Sequence, residues 1–372
     1  MLQEELYSIV LLLVPKFGPE KAKPLLDEAG SAQLLFQQLD HFVAMELISK
    51  DTAAELQNPI YLNQAEKILE ESLTDQVSVI PYSSDLYPIR MRECEDAPVV
   101  LFFKGNLNLN QARVINMVGS RNVTNYGRDF IADFVKQVAD FDPNILLVSG
   151  LAYGVDVCSH EAALRNGLNT VGVLAHGLDR IYPKTNRGTA LKMINQGGLL
   201  TEFTYRNEPE RYNFVSRNRI IAGISDATII VESAVKGGSL LTADFASDYN
   251  RECFAVPGRL IDKYSIGCNN LIHESKASLL SSFEDVIINL GWNLKSSLGA
   301  KKIKPIVKRT LPSNLSNEER CVLECIESKE TPAIDVIEEV THISIADLHM
   351  MLFKLEMDGL IEALAGNSYR LL

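Results

Sequence analysis

Between residues 114 and 256 six short runs of β-branched and aliphatic residues recur, each followed by a turn and a helix-length stretch of mixed polarity. Val114–Val118, Ile145–Ser149, Thr170–Leu174, Leu199–Glu202, Ala227–Glu232 and Cys253–Val256 read as strands with no water-facing side. Strands of that kind belong to a parallel sheet covered by helices on both faces. The spacing predicts the covering helices at about Asn125–Ala139, Asp156–Asn166, Asn186–Gln196, Phe214–Ile224 and Ser239–Tyr249, with Ala277–Leu280 as a further strand and Phe283–Leu290 as a closing helix. The expected fold class is α/β, a Rossmann-like, doubly wound, mostly parallel sheet over residues 77–292. Such sheets bind ligands beyond the carboxyl ends of their strands, where the glycine-rich turns of this chain fall.

The flanks differ. Residues 1–76 carry apolar residues at helical spacing and no strand signal, so a small N-terminal all-α domain of the SAM or helix-hairpin-helix type is expected. Its Val14–Pro19 turn has Lys16 where such a hairpin usually has glycine, and a net charge of −8 around it favours a structural role over DNA contact. Residues 293–310, with six basic and no acidic side chains, read as a basic linker, solvated rather than a phosphate trap. Residues 311–372 read as three helices (Asn317–Glu327, Ala333–Val340, Ile345–Asp358) and a hairpin around Gly366-Asn367, a winged-helix pattern. A winged helix that reads DNA presents a basic recognition helix, whereas Ile345–Asp358 sets Asp347, Glu356 and Asp358 against Lys354. Protein contact is the expectation there. No apolar run approaches the ~20 residues of a membrane span, and the N-terminus is unlike a signal peptide, so a cytoplasmic protein without membrane contact is expected. The six cysteines form no C-x-x-C pair, and neither a metal, a disulfide nor a cofactor is indicated.

Several turns at the expected ligand edge suit anions. Gly119, Ser120 and Arg121 follow the first strand, giving a sharp turn, a hydroxyl with an amide, and a planar fork that fits phosphate. Ser149–Asp156 repeats the strand–glycine–helix order; Asp156 is read as a helix cap and His160 as a packed histidine rather than a metal or acid/base pair. Lys184, in Tyr182-Pro183-Lys184, is a point charge for a phosphate or a solvated side chain. Arg217, Asn218 and Arg219 are read at a helix start. Two arginines two apart point in different directions, so one faces the ligand, with Arg217 favoured, while the other pairs with a carboxylate such as Glu202 or Glu232. Lys236, Gly237, Gly238 and Ser239 open a helix after a strand, a natural phosphate cradle. No Walker-type G-x-x-x-x-G-K-[ST] is present.

These residues carry a resemblance. GSRNVTNYG, SGLAYGVDVCSHEAAL, HGLDRIYPKTN, GGLLTEF, FVSRNRIIAGISDATIIVESAVKGGSLLTADFA and FAVPGRL…GCNNLI, in that order, resemble the DprA (Smf) family of DNA-processing proteins. The resemblance implies a Rossmann-like protein of natural transformation that is not an enzyme. Such a protein binds and protects incoming single-stranded DNA, forms a homodimer and loads RecA for recombination. It further implies a DNA site at Gly119, Ser120, Arg121, Lys184, Arg217, Asn218, Arg219, Lys236, Gly237, Gly238 and Ser239. A dimer surface is implied at Asn270, Leu271, Ile272, His273 and Lys276, with the RecA contact nearby. Tyr153 stands where the family commonly has arginine, and Val215 where it commonly has proline. The alternative is an enzyme of the LOG-type phosphoribohydrolase group, but the helix after Gly237-Gly238 offers Asp244 and Asp248 and no glutamate to serve as general acid or base.

Overall fold

The apolar runs form strands where their pattern places them, within one or two residues. The computed structural model describes residues 2–292, 315–329, 331–364 and 367–371. These fall into two compact units, Met1–Leu294 and Lys295–Leu372. The basic segment 293–310 lies outside the described residues.

Six helices open the first unit: α1 (Leu2–Leu13), α2 (Pro19–Ala29), α3 (Ala32–Gln37), α4 (Leu39–Ala44), α5 (Lys50–Leu56) and α6 (Pro59–Thr74). In the turn after α1, Lys16 adopts φ 61°, the left-handed conformation for which that hairpin ordinarily uses glycine. Two strands not anticipated from the sequence follow, β1 (Ser78–Pro81) and, after the short α7 (Ile89–Arg92), β2 (Val100–Gly105). They pair antiparallel with each other, and β2 pairs antiparallel with the sheet that follows. They escape the βα alternation because no helix crosses between them and the sheet. The N-terminal helices share one apolar core with β1 and β2, in which Ile9, Leu11, Leu35 and Phe42 join Phe102 and Tyr87.

The alternating part runs β3 (Val114–Val118), α8 (Asn125–Phe141), β4 (Leu146–Ser149), α9 (Val155–Arg165), β5 (Thr170–Val173), α10 (Arg187–Asn195), β6 (Gly197–Thr201), α11 (Arg211–Gly223), β7 (Ala227–Ile230), α12 (Gly238–Asp248), β8 (Glu252–Ala255), α13 (Ile266–His273), β9 (Ser278–Leu279) and α14 (Phe283–Asn289). The sheet order is β1-β2-β6-β5-β4-β3-β7-β8-β9, parallel from β6 to β9. Alternate residues of each strand feed opposite cores: Val114 and Val118 of β3 face one, Ile115 and Met117 the other. Both faces are therefore dry, as the uniformly apolar strands require. From β3 the chain winds outward through β4, β5 and β6, then returns to place β7 on the other side of β3. The switch point of a doubly wound sheet, where a crevice opens at the carboxyl edge, thus lies between β3 and β7.

The second unit comprises α15 (Asn317–Lys329), α16 (Ile334–Thr341), α17 (Ile345–Met357) and the antiparallel wing β10 (Ile361–Leu364) and β11 (Ser368–Leu371) around its own core. This is the winged-helix pattern read from the sequence. Lys354 of α17 reaches Glu319 at 2.7 Å, and the helix exposes Met350, Phe353 and Met357.

Candidate nucleic-acid interface

Three turns at the switch point interlock through their backbones. Ser120 N–H donates to Glu232 O at the end of β7 (2.7 Å), and Ser120 O accepts from Val155 N–H at the start of α9 (3.1 Å). The approach leaves no room for side chains: a Cβ on Gly119 would stand 2.7 Å from Val155 Cγ2, and one on Gly154, which holds φ +77°, would stand 2.2 Å from Ser120 O. Ser120 Oγ accepts the Asn122 N–H at 3.0 Å, which fixes the hydroxyl inside the turn. Glu232 is buried and accepts from the Thr124 N–H (2.9 Å) and the Thr124 hydroxyl at the N-terminus of α8. It holds that helix start and pairs with no arginine. With the turn fastened on both sides, Arg121 is left to project, exposed, its guanidinium 5.2 Å from the centre of the Phe214 ring.

The α11 helix begins at Arg211, so Arg217, Asn218 and Arg219 lie in its middle and not at a helix start as the sequence suggested. Their directions diverge as expected. Arg219 is buried with its guanidinium on the Glu202 carboxylate and the Asp96 carbonyl, away from the cleft. Arg217 turns inward beneath the switch point, 3% exposed, and donates to the carbonyls of Gly150 (2.6 Å) and Val173. Burial pushes its pKa down to about 10, opposed by Asp156, so it remains a cation at neutral pH. Asp156, inside the first turn of α9, takes no helix-capping bond; its carboxylate accepts from Ala152 N–H at 3.3 Å. Burial raises its pKa while Arg217 pulls the other way.

The third wall is the N-terminus of α12. Gly237 is its N-cap, so the Gly238 and Ser239 amides lack intrahelical acceptors. Ser239 Oγ donates to Ser233 Oγ at 3.0 Å, and Asn218 Nδ2 approaches Gly238 O at 3.4 Å. These walls enclose a cleft of about 840 Å³ lined by Gly119, Ser120, Arg121, Arg217, Asn218, Lys236, Gly237, Gly238 and Ser239 from the sequence reading. Arg211, Tyr182, Phe214, Thr242 and Tyr264 line it too, without having been singled out. Thr242 Oγ1 is buried there with no hydrogen-bond partner. Among the described lining residues Asp156 is the sole carboxylate, set against Arg121, Arg211, Arg217 and Lys236. Lys184 is not part of the lining: it sits exposed on a short turn whose Asn186 is tied to Leu151 O at 3.0 Å. The α13 group also lies outside the cleft. Asn270, His273 and Lys276 are exposed, Lys276 meeting Glu274 at 2.8 Å; Ile272 is half-buried, and Leu271 is buried in the unit's own core.

His160 is the packed histidine expected. Its Nδ1 lies 2.7 Å from Thr170 Oγ1, whose own proton goes to Leu147 O, so Nδ1 is the donor and buried Nε2 has no partner. Burial lowers its pKa to about 3. An unfolded histidine binds its proton near 6.5, so below that pH the unfolded chain takes up a proton that the fold excludes. His160 should cost up to about 1.4 kcal/mol of stability for each pH unit between roughly 6.5 and 3. Urea unfolding of His160→Gln should show a shallower acid limb than the parent; equal limbs would show that another group governs it.

Among the described residues no three His, Cys, Asp or Glu side chains gather as a metal site, and no helix is long and apolar enough to cross a membrane.

Fold and cleft define a Rossmann-like protein with a cation-rich crevice at its switch point and a separate winged-helix unit. A model of the family described as DNA recombination-mediator protein A matches residues 78–291, and one of the DprA winged helix domain matches residues 308–367. The chain belongs to this DprA or Smf family of DNA-processing proteins. It is 36% identical to the DNA processing protein DprA of Streptococcus pneumoniae over 251 residues, which is 66% of this chain and 88% of that one. With protein Smf of Escherichia coli it shares 32% identity over 300 residues, 79% and 77% of the two chains. The X-ray structure of the S. pneumoniae protein matches with TM-score 0.58 and 32% identity over 67% of this chain and 90% of that one. The Helicobacter pylori protein, described for its single-stranded DNA binding mode, matches with TM-score 0.52 and 27% identity over 58% and 96%.

Proposed function

We propose that the cleft holds single-stranded DNA by its phosphates, and that the chain acts as a homodimer that protects incoming strands in the cytoplasm and loads a RecA-type recombinase onto them. The observation that carries the reading is the cleft's composition. Arg121 from the turn after β3, Arg211 and Arg217 from α11, and Lys236 with the Gly238 and Ser239 amides at the start of α12 converge on one crevice whose described lining holds a single carboxylate, which suits a polyanion and reads no base sequence. The single-stranded DNA binding of the H. pylori relative supports it. The homodimer is assigned to the exposed side of α13, around Asn270 and His273. The winged-helix unit, whose α17 exposes apolar rather than cationic side chains, is assigned to protein contact. In this reading residues 1–76 and 77–292 are two modules that share one apolar core, and the 293–310 linker leads from them to a third module, 311–372. The phosphoribohydrolase reading gains nothing, since α12 carries no glutamate and Asp156 faces Arg217.

The test is titration of a labelled single-stranded oligonucleotide, with duplex of the same sequence as control, across a salt series. With two to four phosphates held per protomer, the logarithm of affinity should fall against log salt with a slope of about −1.5 to −3. Equal affinity for duplex, or affinity independent of salt, would sink the proposal. Lys184→Ala serves as an internal check. From outside the cleft wall it should weaken binding less than about threefold, a fraction of what one direct charge-assisted contact contributes.

A further inference from the structure

The loop from β8 to α13 ends in an apolar tip. Leu260 and Ile261 are 84% and 86% exposed, more than any other large apolar side chain among the described residues. They are held there by a fastened turn. Asp262 N–H donates to Arg259 O at 3.1 Å and Ser265 N–H to Asp262 O at 2.9 Å, closing two consecutive turns. Behind the tip, Gly258 and Asn269 exchange two hydrogen bonds, of 3.2 and 2.9 Å. Ahead of it, Tyr264 O accepts from Ser233 N–H at 2.6 Å and the Tyr264 hydroxyl accepts from Asn122 at 3.1 Å. Tyr264 also lines the cleft, so the tip stands at its rim, on the carboxyl edge of the sheet.

We propose that Leu260 and Ile261 form a wedge that packs between neighbouring bases of the strand whose phosphates lie in the cleft. The inference rests on the reading given under Proposed function and adds a base-contacting element to it. Two aliphatic side chains this exposed gain from being covered, and Tyr264, three residues after Ile261, lines the cleft. Within the cleft the Phe214 ring is engaged by Arg121 at 5.2 Å and Arg217 at 5.9 Å, which leaves an apolar contact at the rim as a further place for a base. Apolar wedges between base steps are an established device, and in a single strand the unstacking they require costs less than in a duplex. Arg259 and Lys263 against Asp262 leave the flanks of the tip one positive charge net, which suits a polyanion as the covering partner.

The experiment uses the full chain and oligothymidylates carrying one 2-aminopurine at successive positions. In the parent, binding should raise the emission several-fold at one or two adjacent positions. Leu260→Ser with Ile261→Ser should abolish that local rise and weaken binding on the order of fivefold, with the salt slope unchanged because no cation is removed. Both side chains are exposed, so the fold is untouched. Leu260→Trp should bind at least as well as the parent, and its added emission should be quenched by the strand, against the single native tryptophan, Trp292, packed on Phe283. A local rise that persists in the double serine variant overturns the wedge. So does a variant that binds DNA as the parent does and loses recombinase binding alone, which would make the tip a protein contact. A parent that binds no single strand overturns the DNA reading itself, a result distinct from either.

Discussion

Replacing Arg121 and Lys236 together by alanine should lower the affinity for single-stranded DNA at least about a hundredfold at low salt. Each offers a charge-assisted contact worth roughly 1.5–3 kcal/mol, and every 1.4 kcal/mol is about tenfold in affinity. Both side chains are exposed and line the cleft from two different turns. Their loss therefore removes positive charge without opening a cavity or stranding a buried partner. Two fewer phosphate contacts should also flatten the salt dependence by about 1.4 in slope. The two effects together separate this mechanism from a general weakening. Fluorescence anisotropy across a salt series measures both; a loss of affinity with unchanged slope would mean that neither side chain meets a phosphate.

Arg219→Ala should be the most destabilising change in the α11 helix. Arg219 and Glu202 are 7% and 8% exposed and face each other beneath it. Removing one member of a buried pair costs about 3–5 kcal/mol, because the other charge stays buried without compensation. A fall in Tm of roughly 10 °C is expected for the first unit. The pH dependence gives a second readout. Burial already raises the Glu202 pKa, with Arg219 acting in the opposite direction. Without Arg219 the carboxyl should be raised further, and a group whose pKa is higher folded than unfolded lowers stability as pH rises through that range. The deficit of Arg219→Ala should therefore be greatest near neutral pH and shrink towards pH 5. Adding Glu202→Leu should recover much of the loss, whereas a variant as stable as the parent would show that the pair contributes nothing. Of the two arginines in Arg217-Asn218-Arg219, this one meets a buried carboxylate, whereas Arg217 meets carbonyls at the base of the cleft.

Much of this was legible in the chain itself. Uniformly apolar strands such as Val114–Val118 and Ala227–Ile230 admit only a sheet covered on both faces, and glycines at 119 and 154 mark turns where another segment's backbone comes close. Local pattern fixes these features because strand burial and left-handed or close-packed backbone depend on few neighbours. The antiparallel β1 and β2 were not legible, since β1 is placed only by pairing with β2, and the pairing of β2 with β6 joins residues about a hundred positions apart. Nor was the start of α11, where Arg211 and Tyr212 extend the helix upstream of the apolar run. The motifs singled out a set of cations but not their separate surroundings. That Arg217 serves buried carbonyls, Arg219 a buried carboxylate, Arg121 the open cleft and Lys184 none of these follows from three-dimensional neighbours. The sequence by itself determined the parallel part of the sheet, its glycine turns and the winged-helix unit, because each rests on periodicity or local backbone freedom, and its motifs carried the resemblance to the family. Only the tertiary structure decided which charges are buried, since an arginine's role is set by the partners that distant segments bring within a few ångströms of it.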